Sequence, residues 1–246
     1  MNNLSVLKIC VTTLGWDYVY SRFKTTLLQK KSNKKGTITI KKTNKISKNK
    51  ISGIHASGVV LLSLLYKYFH NKYGNSKSKL IISVIEPFTV GYFVFDSVQH
   101  IRILQEKFNI ASVGYIVHHI LVSLSVMYCR QNKQYQNNVI TILGLGEFSN
   151  LPSYIMYHLR QYNKKDTKLG RFVLTYQTIH YSFIRIFVIL YYFLNSKTKK
   201  DILNISFWTV YMMGVYWSKL LWSQLLELKT QRIPSLKDLQ KHPHTF

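Results

Sequence analysis

Two adjacent histidines, His118 and His119, stand inside an apolar stretch of this 246-residue chain, and an acidic residue, Glu147, stands inside the next stretch. A neutral imidazole in a partly desolvated site can take a proton from an attacking amine or hydroxyl, while a nearby carboxylate orients the ring and stabilises its charged form. General-base chemistry by His118, His119 and Glu147 is therefore the catalytic reading. Neighbouring residues on a helix diverge by about 100°, so one histidine is expected to face a cavity and the other to pack or to orient its neighbour. A metal site is not expected, because neither HxxxH nor HxxHH occurs and Cys10 and Cys129 form no CxxC pair. Both cysteines read as buried free thiols. There is no GxSxG elbow or Walker A loop, and Gly144 and Gly146 lack the rest of a dinucleotide-binding pattern.

The elements that must carry these residues follow from charge and hydropathy together. Thirty-four Lys and Arg against 9 Asp and Glu give a formal net charge of +25, which by itself suggests a nucleic-acid or anionic-membrane partner. The basic residues, however, crowd into polar connectors between apolar blocks of about 20 residues, the length that crosses hydrocarbon as a helix. No nucleic-acid partner is expected. The prediction is an all-α, multi-pass transmembrane helical bundle of about seven spans: Leu4–Tyr20, Ile51–His70, Leu80–Gln99, Ile110–Cys129, Asn138–Leu159, Phe172–Leu194 and Ile202–Leu228. Lys8 interrupts the first stretch and Asp17 closes it without a small-residue cleavage site, so residues 1–21 read as a helix and not as a cleaved signal. Residues 22–50 hold eleven basic residues and no acidic one. They are expected to form a solvated, flexible, cytosolic linker. Its functional alternative is contact with anionic lipid headgroups, each nearby Lys or Arg contributing about 1 kcal/mol. Residues 229–246 read as a cytosolic tail.

Counting basic residues in alternate connectors gives 22 on one side and 8 on the other, which puts the N-terminus outside or lumenal and the C-terminus in the cytosol. An ionisable group in hydrocarbon costs about 2.5–3.5 kcal/mol even on the gentlest insertion scale, so each needs a partner, a cavity or a function. At about 1.5 Å per residue, His118 and His180 lie roughly 12 Å below the cytosolic surface, Asp96 about 5 Å, Lys219 about 14 Å and Glu147 about 18 Å. Glu86, before Pro87, lies nearer the other side. The shared depth suggests a polar cavity open to the cytosol, lined by His55, Asp96, Ser149, Asn150, His180 and Lys219. Pro152 should kink its helix beside Glu147 and leave a carbonyl without its donor. Such an oxygen is tolerated where it lines a cavity or meets a polar side chain of another helix. The plain alternative is a set of interhelical hydrogen bonds, and for Arg185 and Lys219 singly it is local pairing or snorkelling.

Four segments resemble the TLC domain, a family that includes a translocon-associated membrane protein, the longevity-assurance ceramide synthases and a ceroid-lipofuscinosis protein. Ser52–Gly53–Ile54–His55–Ala56 resembles its S-x-x-H-A/S opening, and Gly91–Tyr92–Phe93–Val94–Phe95–Asp96 its G-Y-F-x-Y-D segment. His118–His119 is similar to its double histidine, and Glu147–Phe148–Ser149–Asn150–Leu151–Pro152 to the E-x-S-x-x-P form of the following helix. The likeness covers roughly residues 45–228. It implies six core helices plus a peripheral first helix, commonly in the endoplasmic reticulum, and a role in lipid synthesis, sensing or transport. The ceramide synthases carry H-D-x-S-D where this chain reads Gly146–Glu147–Phe148–Ser149–Asn150. The closer likeness is thus to the smaller TLC domain-containing proteins.

The expected function is binding, sensing or remodelling of membrane lipids through the cytosol-facing cavity, with membrane lipids as partners and no cofactor. The enzymatic alternative is ceramide-synthase-like N-acylation with acyl-CoA as co-substrate, a histidine acting as general base while cavity donors hold the developing oxyanion. The third is a non-catalytic membrane scaffold.

Overall fold

In the computed structural model, residues 3–32, 40–195 and 201–230 are described, and they are helical throughout apart from short connections, with no strand among them. The helices are α1 (Asn3–Ser32), α2 (Ile40–Tyr73), α3 (Asn75–Glu106), α4 (Ile110–Gln131), α5 (Lys133–Gln161), α6 (Lys168–Ser182), α7 (Ile189–Leu194) and α8 (Asp201–Thr230). A π-helical segment, Phe183–Val188, joins α6 and α7 into one rod. Local chemistry sets the boundaries. Gly74, at a φ of 65°, turns the chain between α2 and α3; the Asn109 side chain accepts from Ala111 N–H to cap α4, and Thr167 Oγ1 accepts from Gly170 N–H to cap α6. Three stretches, Ser78–Glu106, Ile110–Gln131 and Lys168–Leu194, are long and apolar enough to cross a membrane.

The expected flexible linker over 22–50 is largely helix. α1 continues to Ser32 and α2 begins at Ile40; residues 33–39 lie outside the described residues, as do 231–246 of the predicted tail. Thr43, Ile46, Ser47 and Ile51 are buried. Their spacing puts them on one face of α2, so a charge-rich segment docks by a narrow stripe that composition alone conceals.

Six rods form a closed ring in which α2 contacts α3, α3 contacts α4, α4 contacts α8, α8 contacts α6, α6 contacts α5, and α5 returns to α2; α4 also meets α5 across the middle. α1 lies outside this ring and packs along α2 and α3. The surface is inverted relative to a water-soluble bundle. Leu14, Leu61, Phe172, Phe187, Trp208 and Met212 point outward, whereas Thr89, Asp96, Ser149 and Thr178 are buried. A lipid environment would suit the first set, while the second must find partners inside. Glu86, whose depth set it apart, is buried and pairs with Arg130, which also donates to Ser5 Oγ at 2.7 Å. Of the two free cysteines expected to be buried, Cys129 is and Cys10 is not.

Helix α1 is held by hydroxyls that donate to carbonyls of α3: Thr12 Oγ1 to Pro87 O at 2.7 Å and Thr13 Oγ1 to Gly91 O at 3.2 Å. Trp16 Nε1 adds a bond to Phe88 O at 3.3 Å. The approach depends on Gly91, where an added Cβ would lie 2.2 Å from Thr12 Oγ1 and 3.1 Å from the Thr13 backbone nitrogen. Gly91→Ala is therefore expected to lower stability in detergent by about 1–3 kcal/mol, the usual cost of overpacking. Gly15→Ala, where the added carbon meets nothing within 4 Å, should stabilise by up to about 1 kcal/mol through helix propensity. Thermal unfolding of the purified variants checks both.

Candidate functional site

Asp96 is the centre of a first polar cluster between α2, α3 and α4. Lys48 Nζ lies 3.0 Å from Asp96 Oδ1 and 2.9 Å from His100 Nε2. An ammonium only donates, so His100 Nε2 accepts from Lys48, which leaves the ring proton on Nδ1 for Ser112 Oγ at 3.2 Å. His119 Nε2 sits 3.8 Å from Asp96 Oδ2, its Nδ1 meets Ser97 Oγ at 3.4 Å, and its ring stacks on Phe93. The carboxylate is nearly sealed from solvent, and its charge is met by the Lys48 ammonium, with His119 Nε2 beyond it at 3.8 Å.

A second cluster lies between α2, α5 and the α6–α7 rod. His55 is fully enclosed, stacked on Tyr92 with ring centroids 3.8 Å apart, and its Nδ1 is 3.9 Å from Glu147 Oε1. Glu147 Oε2 accepts from Asn150 Nδ2 at 3.3 Å. Arg185, buried within the π-helical segment, donates through Nε to Ser149 Oγ at 2.9 Å and through Nη2 to Gly146 O at 3.0 Å. Wide turns of this kind are over-represented at functional sites. Tyr92 bridges the clusters: it stacks on His55, lies edge-on to His119 at 6.4 Å, and donates to Ser52 Oγ at 2.8 Å.

Two chambers run end to end between α4, α5, α8 and the α6–α7 rod. One is apolar, lined by Phe93, Val122, Leu143, Phe193 and Phe207, with Glu147 at its rim. The other, of about 290 Å³, is polar and aromatic, lined by Tyr115, Asn150, Tyr154, Arg160, Gln177 and Tyr181 among others. His118, Arg185 and Val210 border both. The adjacent histidines thus diverge: His118 faces the chambers with a buried Nδ1 that has no hydrogen-bond partner, whereas His119 turns to Asp96.

Of the expected cavity residues, Asn150 lines the polar chamber, His55, Asp96 and Ser149 sit in the two clusters and line neither chamber, and two lie elsewhere. Lys219 is exposed on α8, one position past the buried Ser218, so it faces away from the ring. His180 lies on the outer side of α6, in a shallow groove with Phe172 and Tyr176, where Nε2 donates to Phe148 O at 3.2 Å. Phe148 is four residues before Pro152, so this is the carbonyl that the proline leaves without an N–H. His180 repairs the defect from a neighbouring helix and does not join the chambers. Lys48 and His100 were not expected in the clusters, since one falls in the linker and the other in the connector after the third span; Arg185, for which local pairing or snorkelling was the alternative, pairs with Ser149 and Gly146. The i,i+4 spacing of Asp96 and His100 was the available signal for one of them. Among the described residues, no group of three His, Cys, Asp or Glu converges as a metal site would need.

Comparison with protein-family models, curated proteins and solved structures finds no match.

His180→Ala should destabilise the α5–α6 contact by about 0.6–2 kcal/mol, the value of an interhelical hydrogen bond. In a Pro152→Ala background, where residue 152 again supplies an N–H, the same change should cost clearly less; a double-mutant cycle on detergent unfolding measures the difference. Lys48→Met should cost about 1.5–3 kcal/mol, the range for hydrogen bonds to charged groups. Asp96→Asn should then be cheaper in the Lys48→Met protein than in the unaltered chain, read in the same assay.

Proposed function

We propose that this chain is a multi-pass membrane protein of the TLC type, with about seven spans, that binds, senses or remodels membrane lipids of the endoplasmic reticulum or a related endomembrane through a cytosol-facing cavity. The observation that carries this reading is the pair of adjoining chambers, one apolar and one polar, that share His118 and Arg185 as lining residues. An amphiphile needs both environments in contact, and a hydrophobic pocket with a few converging polar groups is the usual form of a small-molecule site. Supporting it, His55, Asp96, His118, His119 and Glu147, the residues that carry the family resemblance, belong to α2–α5 and either line the chambers or join the two clusters beside them.

The enzymatic alternative, acyl transfer from acyl-CoA to an amine, is favoured by one observation. His118, the ring with an unpartnered nitrogen, stands where the chambers meet, which is where a general base would act on a head group. His118→Ala combined with His119→Ala is expected to alter the lipid profile of cells producing the protein at a normal level; an unchanged profile would contradict a working site. Labelled acyl-CoA and sphingoid base incubated with membranes separate the readings, since only the transferase yields a labelled amide.

A further inference from the structure

The geometry points to a single-chain lipid with an anionic head, a phosphate or a carboxylate, as the occupant of the two chambers, its head in the polar chamber between Arg160 and Arg185 and its tail in the apolar one. This deepens the proposed lipid-binding function and rests on it. The lining of the polar chamber includes two guanidinium groups and no carboxylate. Its remaining polar groups are four phenols (Tyr115, Tyr154, Tyr157 and Tyr181), the amides of Asn150, Gln177 and Gln224, Ser153, and His118. That set suits a negative head and would repel an amine.

Arg185 is the decisive group. It is nine-tenths buried, and its bonds go to a hydroxyl, a backbone carbonyl and the Asn150 Oδ1 at 3.4 Å, none of them charged. Among the described residues it makes no ion pair within 4 Å. Glu147, which lines only the apolar chamber and accepts from Asn150, attracts it from that side. On the polar side the guanidinium meets only neutral groups, and it matches a phosphate or carboxylate in shape as well as charge. Arg160 stands exposed at the far end of the same chamber, near the end of α5, tied to Gln224 of α8. An anion entering from that end meets Arg160 first and Arg185 at the junction. Two further atoms are unanswered beside it: Gln177, buried and donating to Ser153, keeps an Oε1 without a donor, and His118 keeps its Nδ1. A hydroxyl next to the anionic group, as on a glycerol backbone, would satisfy Gln177.

The test measures binding of four labelled single-chain lipids of equal tail length to the full chain in nanodiscs of zwitterionic lipid: oleate, oleoyl lysophosphatidate, the neutral monoolein and the cationic sphingosine. At least one of the two anions should bind tenfold or more tightly than monoolein, with sphingosine weakest; the tighter anion identifies the head as carboxylate or phosphate. Arg160→Gln, which keeps an amide able to pair with Gln224, and Arg185→Gln should each weaken that anion tenfold or more and leave monoolein unchanged. Equal binding of monoolein and both anions overturns the charge assignment but leaves a lipid-binding cavity standing. Binding of none of the four overturns both. The ligand series on the unaltered chain decides the matter even where Arg185→Gln fails to fold.

Discussion

A hydrocarbon solvent offers neither charge solvation nor hydrogen bonds, so each polar side chain within this bundle has to be answered by another helix. That constraint organises the interior. Asp96 draws Lys48, His100 and His119 from three helices, Arg185 takes a hydroxyl and a carbonyl from α5, and Glu86 holds Arg130 at the opposite end. The same constraint reaches the backbone, where His180 answers a carbonyl freed by Pro152 and Thr12 answers the carbonyl of Pro87. Each such contact contributes little alone, about 0.6–2 kcal/mol in model systems. Together they fix which faces of the rods look inward.

What they leave open is the junction of the chambers. His118 and Arg185 are placed there by helices whose remaining inward residues are occupied elsewhere: His119 by Asp96 and Ser97, Ser149 by Gly146, and Glu147 by Asn150. A site of this form is pre-organised because its supporting bonds are already made before anything enters. Tyr92 and Phe93 touch rings of both polar clusters, His55 in one and His119 in the other.

The helical stretches were legible in the sequence and their facing was not. Hydropathy and a count of basic residues set His118, His180 and Lys219 at similar levels, yet only His118 looks inward. On α8 the buried positions Gly214, Ser218, Leu221 and Leu225 recur at helical spacing, which leaves Lys219 outside. That phase can be read from small and apolar residues once the helix is given. The linker was misread for a related reason: a net charge averaged over 22–50 hides the stripe of Thr43, Ile46, Ser47 and Ile51. Lys48 then entered the Asp96 cluster unannounced, since a segment expected to be solvated contributes no partner to an interior. The all-helical class followed from hydropathy and block length. The pairing of Pro152 with His180 could be foreseen only as a need for some polar group, because nothing local specifies which helix supplies it.

The wide turn at Phe183–Val188 carries one more consequence. A π segment fits an extra residue into its turn, so the two halves of this rod are out of phase by roughly the 100° that separates consecutive residues of an α-helix. Removing a single amino acid there would restore an ordinary helix and leave Ile189 and the residues beyond it facing as they do now, whereas regularising the turn without a deletion would rotate them by about 100°. Any relative of this chain aligned across the rod without a one-residue gap at that point would have its inner and outer faces exchanged.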